Sequence, residues 1–409
     1  MFLIRPAYLV GRLGGGLRRF VEVAARIHHC GVKYVIIESE PFLKSFAYFT
    51  KAKEVAACHR ILGVHMPWGA DSIGGLRGLV LRWLKLFVIA FLGIRSLRSV
   101  HASLVLAPGE TLAEVIPAWI CARVTGRRGA IVVQSDPFLS IRKYAPRDLR
   151  SFYAAYRTME NPLGAFVEGV IAVLHTHAMN DMSLILLGQS LSNALASRGI
   201  RGVTRALVEN GVDLEMIDAT RQSELRSDAI YIGRVDVSKG VRDLLHAWLR
   251  MAEKGRRYTL TIVGPTAENL RDELEDLASS SGQTIRFLGA LNDSEAISVL
   301  KSSRVFVLPS PFEASSLVTA EALACGVPVV SYDSPGSREF FPTPAVSMVP
   351  TGEIDILLGR VREILEDDDK RLRLGKIGKE FVSKQSWNKV ADQEAGIYRQ
   401  LQEAVNSRF

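Results

Sequence analysis

Residues 305–331 read VFVLPSPFEASSLVTAEALACGVPVVS. The stretch opens on the apolar run Val305–Leu308, breaks at Pro309-Ser310-Pro311, turns helical near Ser316 and closes on Val327–Ser331. Short unbroken apolar runs suit strands buried on both faces, and the segment between them is long enough for a crossover helix. Strand, helix, parallel strand is the repeating unit of a doubly wound α/β sheet. The alternation extends upstream through Ala229–Ile232, Thr259–Val263 and Ile285–Leu288. In the first half, strands are expected at Phe2–Val10, Lys33–Glu38, Arg60–His65, Ser103–Ala107, Ala130–Gln134, Gly169–Leu174 and Arg205–Val208. Helices are expected between them, at Leu17–Cys30, Leu76–Arg98, Thr111–Val124 and Met182–Ser197.

With 409 residues the chain exceeds one ordinary core and suits two α/β domains of similar size. The turn signal Asn210-Gly211 and the polar stretch Asp218–Asp228 mark the passage between them. The expected division is 1–215, 216–390, and a last helix over 391–409 that crosses back to the first domain. Its apolar positions begin at Trp387 and continue through Val390, Ala391, Ala395, Ile397, Tyr398 and Leu401. Two doubly wound domains hold a ligand in the cleft between the carboxyl ends of their strands.

The charge is unevenly spread. Residues 1–215 hold 26 Lys and Arg against 15 Asp and Glu, whereas residues 216–409 hold 25 against 28. The first half therefore carries the whole excess, and its field favours an anionic partner such as a membrane surface or a phosphorylated acceptor. A nucleic-acid partner has no motif to support it. Cys30, Cys58, Cys121 and Cys325 are scattered, without a CxxC, which fits a reducing compartment and no structural metal. Met1-Phe2-Leu3-Ile4 runs into a strand-like stretch without a leader-type apolar core, so a cytoplasmic location is expected.

Two constellations carry chemistry. In Gly233-Arg234-Val235-Asp236-Val237-Ser238-Lys239-Gly240, a guanidinium and an ammonium five residues apart flank a strand-to-helix turn. Both can converge on one diphosphate and stabilise it as a leaving group; the bland alternative is a solvated turn. In the opening stretch, Glu313 falls in the loop and Glu321 on the helix. The start of that helix aims free N–H groups beside Glu313. Carboxylates there suit the hydroxyls of a sugar and a ribose; the bland alternative is a helix capped by Ser315 or Ser316 with Glu321 on its surface.

Together these residues resemble the donor domain of the family-4 (group 1) retaining glycosyltransferases. Glu313-x7-Glu321 leads into EALACGVPVV, GRVDVSKG precedes it, and further pieces fall in the family's order: Ile262-Val263-Gly264, Phe287-Leu288-Gly289 and Gly336-Ser337-Arg338-Glu339. Glu209-Asn210-Gly211-Val212-Asp213 and Ser386-Trp387 are similar to its linker and its ending. The resemblance implies a GT-B fold, two Rossmann-like doubly wound domains facing each other across a cleft, with the acceptor domain first. It implies a nucleotide-diphosphate sugar as donor, neither metal nor cofactor, and retention of anomeric configuration. Arg234 and Lys239 would hold the diphosphate, Glu321 the ribose and Glu313 the transferred sugar. Backbone at Gly233, Gly264, Leu288, Ser315, Ser316 and Leu317 would line the donor. Gly15 and Gly16 would approach the phosphates from the other domain.

Two places depart from the family pattern. Its Gly-Phe-Gly after the first Glu is Ala314-Ser315-Ser316, and the His that follows its fifth strand is replaced within Val133-Gln134-Ser135-Asp136-Pro137. Asp136 is the candidate for the acceptor side. A glycosyltransferase-like binder without turnover is thus one rival. An NAD-type oxidoreductase is another, with Glu38 near where a ribose acid would sit, but GxGxxG fails because Arg19 stands at its last glycine. His175 and His177, on one face of an expected strand, lack a third ligand. Finally, Leu76–Arg98 sets Arg77, Arg82, Lys85, Arg95 and Arg98 on a broad basic side, with Trp83, Leu86, Phe87, Ala90, Phe91 and Ile94 opposite. Its longest charge-free run cannot cross a bilayer, so it is either an interfacial helix serving a lipid-linked acceptor or a buried helix with snorkelling arginines.

Overall fold

The computed structural model describes residues 2–5, 15–39, 51–64, 75–98, 102–135, 162–236, 239–253, 257–266, 268–279 and 284–406. Two parallel sheets organise them. The first joins β1 (Phe2–Arg5), β2 (Val35–Ser39), β3 (Arg60–Val64), β4 (Leu104–Ala107), β5 (Arg128–Val133), β6 (Ser183–Leu187) and β7 (Arg205–Val208) in the order β3-β2-β1-β4-β5-β6-β7. Helices α1 (Gly15–Ile27), α2 (Ala52–Cys58), α3 (Gly75–Arg98), α4 (Leu112–Thr125), α5 (Pro162–Asp181) and α6 (Gln189–Ser197) connect its strands.

A short helix, α7 (Leu214–Ala219), leads into the second sheet, capped by Asp213, whose carboxylate accepts the Met216 N–H at 3.0 Å. The sheet joins β8 (Ser227–Ile232), β9 (Thr259–Val263), β10 (Thr284–Gly289), β11 (Ser303–Leu308), β12 (Val329–Tyr332) and β13 (Val346–Val349), in the order β10-β9-β8-β11-β12-β13. Between them run α8 (Val241–Glu253), α9 (Glu268–Ser279), α10 (Asp293–Lys301), α11 (Leu317–Ala324) and α12 (Pro335–Phe340). After β13 come α13 (Ile354–Glu366), α14 (Asp368–Val382) and α15 (Trp387–Asn406). Each sheet has its own apolar core, and Trp387, Val390, Ala391, Ala395, Tyr398 and Leu401 of α15 belong to the first. The returning helix therefore starts at Trp387, four residues ahead of position 391.

Two sequence expectations fail in the first domain. Gly169–Leu174 is not a strand but the middle of α5. Within Met182–Ser197, Ser183–Leu187 is a fully buried strand and only Gln189–Ser197 is helix. A short apolar run carries no periodicity to separate buried strand from buried helix. The break between the two elements is Gly188, at φ +83, where a side chain would collide with Glu339 and Phe340 of the second domain. The strand β13 has no counterpart among the expected ones.

In the first sheet the order reverses between β1 and β4, and in the second between β8 and β11. These switch points open crevices at the carboxyl ends of the strands. Gly15-Gly16 follows β1, Gly233–Lys239 follows β8, and Pro309–Ser316 follows β11.

Candidate donor site

The turn after β8 is held tightly. The Gly233 N–H donates to the Val263 carbonyl at 2.9 Å, Val235 N–H to Pro265 at 3.0 Å, and the Tyr231 hydroxyl to the Arg234 carbonyl at 2.7 Å. Gly264, at φ +143, lies so close to the Gly233 carbonyl that a Cβ would collide with it, so the β8 and β9 turns pack as bare backbone. Gly240 likewise faces the Pro309 carbonyl and joins the β8 turn to the β11 loop.

That closeness brings the charges together. Lys239 Nζ lies 2.7 Å from Glu313 Oε1, both side chains largely sheltered. Arg234, more exposed, pairs with Asp236 at 3.0 Å. The Glu313 carbonyl accepts the Gly336 N–H at 3.1 Å, which fixes the loop against the start of α12. Ser316 caps α11 by accepting the Thr319 N–H at 3.2 Å. The capping expectation and the site are thus compatible: Ser316 orients the helix whose start lies four residues after Glu313. Leu288, near the end of β10, is half-buried against the second core.

Glu321 is buried, and its partner comes from the other domain. Arg18 of α1 lies 2.5 Å from Glu321 Oε1 and 3.6 Å from Asp293 Oδ1. Burial pushes Glu321 up to about 7, against the opposing Arg18 cation; Asp293 and Glu22 push the same way as burial. Burial also disfavours the Arg18 charge, but the carboxylates of Glu321, Asp293 and Glu22 outweigh it and raise that group. Glu321 is therefore not the surface residue of the bland reading.

Sequence reasoning missed Arg18, although a signal existed. A cation in the first turn of a helix opposes the dipole, so Arg18 three residues into α1 calls for a carboxylate partner. It also missed the ties between the domains. Asn210 Nδ2 donates to Ser315 Oγ of the second domain at 3.0 Å, and Arg19, itself paired with Glu394 of α15 at 2.5 Å, holds Asn210 by donating to its Oδ1 at 3.0 Å. Glu339 accepts the backbone N–H groups of Gln189 and Ser190 at the start of α6, the latter at 2.8 Å. A carboxylate on free helix N–H groups is a favourable anion seat.

On the acceptor side, Gln134 stands at the end of β5. Its amide Nε2 donates to the Pro108 carbonyl at 3.0 Å and the Gly16 carbonyl at 3.4 Å, tying the Gly15-Gly16 turn to the sheet. Asp136 lies outside the described residues. Glu110 accepts the Gln134 N–H at 2.9 Å and the Ser135 hydroxyl, and burial raises its pKa. His175 and His177 sit on helix α5, not on a strand: His175 is buried and pushed down to about 4, and His177 packs edge-on to Trp119. Among the described residues, no three His, Cys, Asp or Glu side chains come together as a metal site.

Residues 215–381 match the family model described as "Glycosyl transferases group 1". The second domain is a group 1 glycosyltransferase domain. Among curated relatives, this chain is 29% identical over 245 residues to a glycogen synthase of Mycobacterium tuberculosis, covering 58% of each chain. It is 27% identical over 269 residues to a phosphatidyl-myo-inositol mannosyltransferase of Mycobacterium leprae, covering 60% of this chain and 68% of that one. The chain thus spans little more than half the length of the glycogen synthase. Among solved structures, Anabaena HepE in complex with UDP-glucose superposes with a TM-score of 0.71 at 14% identity, covering 99% of both chains. The chain therefore has the GT-B fold over both of its sheets.

Proposed function

We propose that the protein transfers a sugar from a nucleotide-diphosphate sugar to an acceptor, with retention at the anomeric carbon. The observation that carries this reading is the convergence of Lys239, Glu313 and the start of α11 at the carboxyl ends of β8 and β11, within a group 1 glycosyltransferase domain. Lys239 and Arg234 take up the charge of the departing diphosphate, and Glu313 faces the sugar as it gains positive character. The acceptor hydroxyl oxygen bonds to the anomeric carbon as the bond to the phosphate oxygen breaks. The hydroxyl proton passes to that phosphate oxygen on the same face. The family match favours transfer over the oxidoreductase reading. Nucleotide release from a donor sugar, dependent on Lys239, tests the assignment.

The cations and the helix start supply the charge that a metal would otherwise provide, so the reaction is proposed to need no metal or cofactor. Turnover should persist in excess EDTA. Complete loss on chelation, restored by manganese, would contradict this donor chemistry.

The Glu321 environment sets a pH dependence. Ribose hydroxyls donate to the ionised carboxylate, and burial raises Glu321 to about 7, so nucleotide affinity should rise with pH through 7. Arg18→Ala removes the cation that opposes this shift and should move the midpoint upward; Glu321→Gln should flatten the profile. Calorimetric titration between pH 6 and 8 reads both, and a wild-type affinity that falls with pH would overturn the ribose role.

The acceptor is proposed to be lipid-linked, with the enzyme cytoplasmic and peripheral on the inner membrane face. The support is the excess of basic residues in the first half and the relative named for mannosyl transfer to phosphatidyl-myo-inositol.

A further inference from the structure

Helix α3 shows two apolar sides where the sequence suggested one. Leu86, Ile89, Ala90 and Leu97 are buried in the first domain, and the Ala90 carbonyl accepts the Cys121 thiol of α4 at 3.2 Å. Leu84, Phe87, Val88 and Phe91 point the other way and are 46, 54, 37 and 65% exposed. Ten large apolar side chains stand this exposed among the described residues, and four of them fall within these eight positions. Steps of three and four residues keep the four on one helix side, and the same steps reach the exposed Arg95 and Arg98. The stripe is thus apolar for two turns and then basic, about 21 Å from end to end at the usual rise.

We propose that this face of α3 is a docking surface for an anionic membrane. The proposal deepens, and rests on, the reading of a lipid-linked acceptor. The helix lies parallel to the bilayer: Leu84, Phe87, Val88 and Phe91 enter the boundary between headgroups and acyl chains, and Arg95 and Arg98 meet lipid phosphates. Among the described residues, no helix is long and apolar enough to cross a membrane, so α3 docks rather than spans. Charge complementarity selects the occupant. The first half of the chain carries 26 basic against 15 acidic residues, a field that draws an anionic leaflet. A second copy on the same face would set that positive field against its own like.

The test is co-sedimentation of the full chain with mixed phosphatidylglycerol–phosphatidylcholine vesicles and with phosphatidylcholine vesicles alone. Wild-type protein should bind the mixed vesicles at low salt, release in high salt and bind the neutral vesicles weakly. Arg95→Gln with Arg98→Gln should weaken partition about 30-fold, the usual share of two basic residues at such a surface. Phe87→Ser with Phe91→Ser should weaken it at least as much. All four side chains are exposed, so both double variants should keep the wild-type melting temperature and the wild-type shift with UDP or GDP. Wild-type protein that ignores anionic vesicles, equal binding to neutral ones, or variants that partition normally would each overturn the proposal. So would a wild-type dimer that Phe87→Ser with Phe91→Ser converts to monomer, because a second copy would then cover the face. The nucleotide shift is read on the same samples, so failure of the membrane surface and failure of the donor site are told apart.

Discussion

Lys239→Ala should lower turnover of the donor sugar by roughly 10²–10³, the usual loss when one preorganised donor to a developing charge is removed. Lys239 Nζ lies 2.7 Å from Glu313, sheltered between the β8 turn and the β11 loop, where a developing charge on the diphosphate would meet it. Arg234→Ala should act in the same direction and less strongly, because Arg234 is more exposed and shares its charge with Asp236. Both residues sit on a turn whose backbone is fixed by Gly233, Val235 and the Tyr231 hydroxyl, so folding should survive. Single-turnover rates with saturating donor, beside thermal melts, separate the two effects. Near-normal turnover in Lys239→Ala would remove Lys239 from the site.

The two glutamates should part company. Glu313→Ala removes a carboxylate beside the sugar as it becomes cationic, and kcat should fall by a factor comparable to that of Lys239→Ala. Glu321→Ala removes ribose contacts made before and during reaction, so the donor KM should rise with kcat little changed. Glu321→Ala also strands Arg18, a buried cation whose other carboxylate lies farther off at 3.6 Å, and should lower stability as well. Glu313→Ala frees Lys239 in a partly open turn and should cost less. Steady-state kinetics over a range of donor concentration reads the division, and identical profiles for the two variants would refute it.

Much of this was legible in the sequence for physical reasons. The second domain alternates short β runs with capped helices, and two of its site cations, Arg234 and Lys239, flank a single turn. The first domain was harder. Ser183–Leu187 and Gly169–Leu174 are both apolar runs without period, and only tertiary packing decides that one is strand and the other helix. The Arg18–Glu321 pair joins residues some 300 positions apart, and no local pattern records which carboxylate a cation will meet. The split of α3 into a buried and an exposed apolar side was invisible for a similar reason: Phe87 and Leu86 are both strongly apolar, and only tertiary packing sets which one is buried.

The central claim is that the cleft at the ends of β8 and β11 binds a nucleotide-diphosphate sugar. The direct measurement is thermal stability against a panel of uridine and guanosine diphosphates and their sugars, for wild type and Lys239→Ala. A ligand at a hundred times its dissociation constant adds about 2.7 kcal/mol of stability, a clear shift in melting temperature. The account predicts that at least one member shifts wild type strongly and Lys239→Ala weakly. A panel in which no member shifts wild type, or one that shifts both proteins equally, would contradict it.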